Sequence, residues 1–309
     1  MVSGIPLSQA LEGYFITARA RRLSRHTLAE YDYTFRAFES FLGDDRPLAS
    51  ITPADIRAFL NSRTGLSNKT LLNHHIGLSA LWSWALNEGL VDRHVIREVA
   101  APKAEQKAIV PYTQRDVKEM LQACERTRPY ARPGQRTCDN SRPTALRDKA
   151  IILLLVDTGM RASELTGIRI YQADLANRRV TVEGKGNKER MIPISPRTAQ
   201  ALWRYLAERG EKRKAEALFL GKGGLPLSRY GLLRLLERMG ERADVEGATV
   251  HRFRHTFAIA FLRNGGNAFA LQRMLGHSTL EMVKRYLAIA EADVESAHVD
   301  ASPVTRWAL

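Results

Sequence analysis

The chain has 309 residues and 44% of them are hydrophobic, which excludes general disorder and allows one large domain or two of ordinary size. Lys and Arg outnumber Asp and Glu by 47 to 33, a formal net charge of +14. Such an excess favours a polyanionic partner, most commonly nucleic acid, although a basic housekeeping protein is the alternative at this point.

The cysteines and the apolar runs indicate the cellular compartment in which the protein is expected. Cys124 and Cys138 offer neither a metal-ligand spacing nor a disulfide framework, which fits a reducing environment. The longest apolar run, residues 150–156, is much shorter than the roughly 18 residues that a membrane span needs. The first six residues do not resemble a signal peptide. We therefore expect a cytoplasmic protein with no membrane partner.

The first hundred residues predict one helix after another and no strand. Four side chains stand where helix caps are expected: Ser8, Ser24, Thr52 and Ser67. Proline at the first helical position follows Thr52. These features predict an all-helical N-terminal domain over residues 1–100. The polar, proline-bounded stretch 101–111 is typical of a linker.

The second predicted domain, residues 112–309, is mostly helical. It begins with a helix capped by Thr113, and residues 126–147, rich in Arg, Pro, Gly and Thr, indicate a loop. Residues 179–183 and 190–194 flank a Gly- and Asn-containing turn and predict a β-hairpin. Further apolar patterns predict helices over residues 146–156, 196–208, 228–241, 250–263, 267–275 and 279–290. The predicted fold class is mainly α, with a small antiparallel sheet in the second domain.

Polar residues follow the most apolar helix of the chain. Gly159 is expected to end that helix and to place Arg161 near the start of the next one, with Glu164 on the same face. An arginine fork suits a phosphate, and a nearby carboxylate can hold the fork in orientation. Taken alone, the pair also fits an ordinary surface ion pair.

His251 and Arg254 are three residues apart and share one face of a predicted helix, whose apolar residues Phe253, Phe257 and Ala260 are expected to face the core. A histidine beside an arginine can bind a phosphate while it moves a proton. The helix also shows the four-residue histidine spacing of zinc proteases. It lacks their catalytic glutamate and a third ligand, which counts against a metal site.

Three further residues are candidates for chemistry. Gly276 is expected to end a helix and to leave His277 in the break with its ring free to reach outward. Tyr286 lies about two helical turns further on, where a core tyrosine is the ordinary alternative. Lys185 stands between two glycines in the turn of the hairpin. A solvated turn lysine is the ordinary alternative there, and Lys188 competes for any role.

The order of these residues resembles the catalytic set of the tyrosine recombinases of the Xer and integrase type, also called the phage integrase family. The set is Arg161, Lys185, His251, Arg254, His277 and Tyr286. The local contexts agree: Thr-Gly-Met-Arg-Ala-Ser-Glu-Leu, Gly-Lys-Gly-Asn-Lys-Glu-Arg, His-x-x-Arg-His-Thr-Phe-Ala and Leu-Gly-His-Ser, followed by the tyrosine. The resemblance spans nearly all of the C-terminal half. It extends more loosely to the N-terminal helices, which look like the family's SAM-like core-binding domain.

The resemblance implies a site-specific recombinase that cuts and rejoins DNA through a 3′-phosphotyrosyl bond to Tyr286. Arg161 and Arg254 would hold the phosphate oxygens and stabilise the pentacovalent transition state. His251 would help to take the phenolic proton, and Lys185 would protonate the leaving 5′-oxygen.

The remaining implications concern supporting groups and partners. His277 would donate another hydrogen bond to the phosphate, and Glu164 would orient Arg161 or His251. No metal or other cofactor is expected, because arginine, lysine and histidine supply the positive charge. The implied partners are double-stranded DNA recombination sites, held by a homotetramer on two sites, with accessory DNA-binding proteins as further candidates. The reaction would serve integration, excision or resolution of DNA.

Two other functions stay open on the sequence: a type IB topoisomerase, and a non-catalytic DNA-binding regulator descended from a recombinase. The motifs around Lys185 and His277 favour a recombinase over a topoisomerase, and the complete catalytic set counts against a regulator. Two stretches depart from the simplest family members. Residues 126–147 are longer and more basic, and a long tail follows Ala290, in which Trp307 is a candidate anchor on a neighbouring subunit.

Overall fold

The computed structural model describes residues 4–105, 108–127, 140–184, 189–209, 216–276 and 279–290, together with residues 302 and 304. The chain divides into two compact units, Met1–Ala108 and Ile109–Leu309, so the division falls inside the predicted linker. Each unit has its own hydrophobic core. None of the helices in the described ranges is both long enough and apolar enough to cross a membrane.

The first unit is helical, as predicted. Its α-helices are α1 (Leu7–Ala20), α2 (Arg25–Leu42), α3 (Pro53–Ser62) and α4 (Asn68–Asn87), with 3₁₀ turns at Leu48–Ser50 and Val95–Glu98. Its core holds fully buried aromatic side chains, namely Phe35, Phe38, Phe59 and Trp82. Burial of such large rings is the main stabilising contribution in a unit of this size.

Three of the four helix caps predicted for the first unit are confirmed, as is the cap at Thr113 in the second. Ser24, Thr52 and Ser67 each accept a hydrogen bond from the backbone N–H three residues later, which satisfies a donor that the first helical turn leaves unpaired. The cap predicted at Ser8 is wrong. Helix α1 begins one residue earlier, after Pro6, and the Ser8 hydroxyl donates to the Asp45 carboxylate at 2.6 Å instead.

His74 is fully buried where α2 and α4 pack together. Its Nδ1 lies 3.1 Å from the hydroxyl of Thr34, and its ring packs between those of Tyr33 and Phe59. Gly77 lets the two helices approach, since a Cβ there would lie 3.2 Å from Thr34. Burial, aided by the positive charge of Arg63, lowers the pKa of His74, so the neutral imidazole is the form that fits.

The second unit combines eight described α-helices with one small sheet. The helices are α5 (Gln114–Ala123), α6 (Ala145–Thr158), α7 (Ala162–Gly167), α8 (Pro196–Arg209), α9 (Arg229–Ala243), α10 (Val250–Arg263), α11 (Ala268–Leu275) and α12 (Glu281–Ala290), with 3₁₀ turns at Ile170–Gln172 and Lys222–Gly224. The strands are β1 (Ala173–Asp174), β2 (Arg179–Glu183) and β3 (Glu189–Pro193), antiparallel in the order β1-β2-β3. The predicted hairpin is confirmed, while β1 is too short for a period-two pattern to reveal.

Helix α6 lies at the centre of the second unit, where it packs against α8 and α10. Its side chains Ile151, Ile152, Leu154 and Leu155 are fully buried, which confirms the prediction of a buried core helix. Helices α10, α11 and α12 form a second apolar cluster that contains Phe257 and Tyr286. Phe253 and Phe257 face the core as predicted, but Ala260 is exposed, because the buried face of α10 turns toward α6 and α12.

The start of the second unit is fixed to the first turns of α10. The backbone N–H of Tyr112 donates to the Thr256 hydroxyl at 2.8 Å, and its phenolic oxygen accepts the backbone N–H of Thr249 at 2.9 Å. The guanidinium of Arg252 lies 4.2 Å from the centre of the Tyr112 ring and donates to the carbonyl of Val110. The first residues of this unit are therefore held against the helix that carries His251 and Arg254.

We predict that acid destabilises the protein through His74. The pKa of its ring is lower in the folded chain than its ordinary 6.5, so the unfolded chain binds the proton first as the pH falls, and the free energy of unfolding decreases below about pH 6.5. Thermal unfolding of the full chain at several pH values, followed by tryptophan fluorescence, measures this dependence. His74→Asn removes the titration and should flatten the curve, whereas the exposed control His26→Asn should leave it unchanged. Identical curves for His74→Asn and the unaltered chain would contradict the interpretation.

Candidate active site

The site begins at the break between α6 and α7. Gly159 ends α6 in the left-handed conformation, with a φ of 57°, and a Cβ at this position would lie 2.5 Å from the ring of Phe257. Glycine is therefore required both by the turn and by the close approach of α10. Arg161 follows as the N-cap residue of α7, where the sequence predicted it.

The carboxylate of Glu164 is buried and holds two arginines. It accepts the backbone N–H of Arg161 at 2.8 Å and its guanidinium at 2.9 Å. It also accepts both Nη groups of Arg190 on strand β3, at 2.9 and 2.8 Å, in a two-pronged pair. The side chain of Glu164 is 3% exposed, so this charge is stable only with these donors around it.

These contacts set the pKa of Glu164. Burial alone raises it, but the hydrogen bonds from Arg190 and from the backbone of Arg161 outweigh burial and bring the pKa below its ordinary value. The carboxylate is therefore ionised at neutral pH. Among the contacts of the described residues, Arg161 gives Glu164 one of its five side-chain N–H groups, so the fork keeps donors for an anion.

Arg254 is buried on α10 and donates to two backbone carbonyl groups. Its Nη groups donate to the carbonyl oxygens of Gly159 at 2.9 Å and Leu275 at 2.8 Å, which are the ends of α6 and α11. Burial, together with the positive charge of Arg161, lowers the pKa of Arg254 to about 10. The group remains a cation at neutral pH, and an anion placed beside the two arginines would relieve their repulsion.

Tyr286 on α12 is 2% exposed, and its hydroxyl lies 2.9 Å from Nδ1 of His255 on α10. Burial raises the pKa of this phenol, while the positive charges of Arg254, Arg285 and Arg161 act in the opposite direction. The pKa of His255 is lowered by burial and by the charge of its neighbours, His251 first among them. A phenol, a histidine and two arginines thus interact at one place.

The structure brings together four of the residues predicted from the sequence: Arg161, Glu164, Arg254 and Tyr286. His251 lies at the exposed start of α10, one turn before His255. Lys185 and His277 are outside the described residues, as is Lys188. The same holds for most of the 126–147 loop and for Trp307 in the tail. The catalytic roles expected for these side chains stay predictions.

Two residues at this site were not predicted from the sequence, Arg190 and His255. Arg190 also donates to the carbonyl of Met274, so it joins the sheet to the end of α11. It is the first residue of a β-favouring run and follows Lys188 and Glu189, so the sequence around it gave no distinct signal. His255 was noted for its spacing from His251, but spacing along one helix does not reveal a partner 31 positions away on another.

The arrangement is suited to gripping an oxyanion beside a nucleophile. Two cationic forks stand next to a phenol whose oxygen lies within hydrogen-bond distance of a histidine, and groups of these kinds can carry out phosphoryl transfer without a metal. Within the described ranges, no group of three or more His, Cys, Asp or Glu side chains is placed to hold a metal ion.

The chain is similar in sequence to known proteins. The sequence matches the Phage integrase family over residues 112–293 and the Phage integrase N-terminal SAM-like domain over residues 11–89. A curated relative, Tyrosine recombinase XerC of Pelobacter propionicus, is 29% identical over 308 residues, which cover 97% of each chain.

Solved structures share the fold. The Tn1549 transposon integrase in complex with a circular intermediate DNA superposes with a TM-score of 0.73 at 22% identity, over 96% of this chain and 99% of that one. A lambda integrase, solved as a tetramer bound to a Holliday junction, gives a TM-score of 0.71 at 20% identity, over 92% and 78% of the two chains.

We predict that Glu164→Gln is strongly destabilising. Removing one partner of a buried, hydrogen-bonded pair leaves charges uncompensated and commonly costs about 3–5 kcal/mol. The matched control is Glu237→Gln, which breaks an Arg–Glu pair of the same spacing whose glutamate is 38% exposed. That change should cost less than about 1 kcal/mol. Chemical denaturation of both variants measures the difference. Equal decreases in the free energy of unfolding would contradict a stabilising role for the buried Glu164 pair.

Proposed function

Because the chain belongs to the phage integrase family, we propose that Tyr286 is the nucleophile with which it cuts and rejoins DNA through a 3′-phosphotyrosyl intermediate. The chain is a tyrosine-type site-specific DNA recombinase. The observation that carries the assignment to this tyrosine is its position: its hydroxyl contacts a histidine, and both Arg161 and Arg254 act on its charge.

The chemistry of the phosphodiester explains why these groups are needed. Its negative charge repels nucleophiles, so Arg161 and Arg254 hold the non-bridging oxygens and stabilise the charge that grows as Tyr286 attacks. Removing one such preorganised donor commonly costs about 3–4 kcal/mol of transition-state stabilisation. Glu164 keeps the Arg161 fork in orientation through the contacts described above.

The leaving group and the phosphate need further donors. By family likeness, Lys185 protonates the departing 5′-oxygen, His277 donates a hydrogen bond to the phosphate, and His251 assists the transfer of the phenolic proton. Because the phosphotyrosyl bond keeps the energy of the broken phosphodiester, a 5′-hydroxyl from another duplex can reseal it without ATP.

The assembly proposed for this reaction is a homotetramer that holds two double-stranded DNA sites, with accessory DNA-binding proteins as candidate partners. The tetrameric lambda integrase of similar fold supports it. In this assembly the first unit is the core-binding domain and the second is the catalytic domain, as their family matches suggest. The cytoplasm, where such DNA is found in bacteria, is the proposed location.

We predict that Tyr286→Phe abolishes covalent attachment to DNA and leaves DNA binding intact, because the change removes the attacking oxygen alone. The substrate is a suicide duplex nicked beside the cleavage point, on which the 5′-hydroxyl is lost after attack and the covalent complex accumulates. Denaturing electrophoresis detects that complex, and a mobility shift measures binding. Tyr171→Phe, which alters an exposed tyrosine of the same unit, is the matched control and should form the complex at the normal rate. A covalent complex with Tyr286→Phe would refute the assignment, and relaxation of supercoils without strand exchange would indicate a topoisomerase.

We also predict a steep dependence of DNA binding on salt. The net charge of +14 implies that contacts to phosphates dominate, and each such contact releases counterions. If roughly six to ten phosphates are neutralised, the affinity falls about 10³- to 10⁵-fold between 50 and 200 mM salt. Fluorescence anisotropy with a labelled duplex gives the slope, and a flat slope would contradict binding through the backbone.

A further inference from the structure

The contact between His255 and Tyr286 assigns a role that the family resemblance does not give. Nδ1 of His255 lies 2.9 Å from the phenolic oxygen, within hydrogen-bond distance, and the two ring centres are 5.6 Å apart. The ring belongs to α10 and the phenol to α12, two helices that pack together along the second apolar cluster. The contact therefore joins the nucleophile to the helix that carries Arg254.

His251 is placed less favourably for the same task. It lies at the exposed start of α10, whereas His255, one turn further on, is half-buried and faces α12. A proton acceptor must be within hydrogen-bond reach of the proton that it takes, and His255 meets this condition in the DNA-free protein.

We propose that His255 is a catalytic residue whose Nδ1 accepts the proton of Tyr286 as the phenolic oxygen attacks phosphorus. This rests on the proposed function, since it concerns the same nucleophile. The O–H bond of Tyr286 breaks and its proton passes to Nδ1, a bond forms between the phenolic oxygen and phosphorus, and the bond from phosphorus to the 5′-oxygen breaks. The departing 5′-oxygen takes its proton from a separate acid, which family likeness assigns to Lys185. When the strand is resealed, the imidazolium returns its proton to the phenolic oxygen.

The charge state of His255 fits an acceptor. Only a neutral ring, with its proton on Nε2, can accept at Nδ1. Burial lowers the pKa of His255 below its ordinary 6.5, and the positive charges of His251, Arg285 and Arg254 add to this effect, so the ring is neutral at pH 7.

The groups that face His255 come from two helices: His251 and Arg254 from α10, and Arg285 and Tyr286 from α12. Charged groups on the other helices packed against α10 either bond to other residues or are exposed to solvent. On α6, Asp148 bonds to Arg142 and Arg147, and Asp157 accepts the backbone N–H of Ser195. On α11, Arg273 is exposed.

The test measures single-turnover formation of the covalent complex on the suicide duplex, using the full chain, as a function of pH. In the unaltered protein, the rate should rise with pH through the pKa of His255, below 6.5, and then level off, because only the neutral ring accepts the proton. His255→Asn keeps a polar atom near the position of Nδ1 but cannot hold a proton. It should bind DNA normally, react about a hundredfold more slowly and lose this step in the pH profile.

A comparison with His251→Asn distinguishes the two histidines. That variant should retain the step in the profile, shifted upward because a neighbouring positive charge is removed. The proposal fails if the step disappears in His251→Asn and persists in His255→Asn. It also fails if His255→Asn reacts as fast as the unaltered chain or faster, since a faster rate would make the contact a latch that restrains Tyr286.

A second substrate separates the two proton transfers. A duplex with a bridging sulfur in place of the 5′-oxygen has a leaving group that needs no proton, since thiols ionise near pH 8–9. This substrate should rescue Lys185→Ala and should not rescue His255→Asn. Rescue of His255→Asn would place its effect at the leaving group and overturn the proposal.

The outcomes separate this inference from the proposed function. If the unaltered chain forms no covalent complex with DNA, the proposed function fails. If it forms the complex through Tyr286 without the predicted step in its pH profile, only the role of His255 fails. Thermal unfolding checks that His255→Asn is folded. If it is not, the same test is made with His255→Gln and with the pH–rate profile of the unaltered chain.

Discussion

The site depends on a guanidinium that is buried where two helices end. The last carbonyl groups of a helix have no partner within it and carry a partial negative charge. Arg254 donates hydrogen bonds to one such carbonyl at the end of α6 and to another at the end of α11. Arg190 donates to a third, the carbonyl of Met274 on α11. Glycine in the left-handed conformation ends each of these helices, at positions 159 and 276. The carbonyl groups that become free where these helices end are thus the groups that hold the buried cation in place.

This dependence explains which parts of the site could be predicted from the sequence. The glycine that ends α6 and the spacing of Arg161 and Glu164 are local features, so the sequence predicted the helix break and the arginine–glutamate pair together. The partners of Glu164 and Tyr286 depend on how β3 and α12 meet distant helices, and no spacing along the chain encodes that. Arg190 and His255 were missed for this reason. The wrong cap at Ser8 has the same origin, because its hydroxyl bonds to Asp45, 37 positions away.

The burial of Tyr286 has a chemical consequence of its own. A phenol away from water resists ionisation, so burial favours the protonated form of Tyr286. The same packing against α10 that buries the ring holds its oxygen against a histidine nitrogen. One helix interface therefore both disfavours ionisation of the phenol and holds its oxygen within hydrogen-bond distance of a histidine.

The two kinds of acceptor around the arginines have a consequence for what the site prefers to bind. Carbonyl oxygens orient Arg254 without neutralising it, and the single carboxylate of Glu164 is shared between Arg161 and Arg190. Three guanidinium groups therefore surround one anion, and the described residues leave an excess of two positive charges. A resting phosphodiester bears one negative charge, and the five-coordinate species on the reaction path bears a second. An excess of positive charge interacts more strongly with a dianion than with a monoanion, and a preference of that kind lowers the barrier of a reaction instead of only tightening binding.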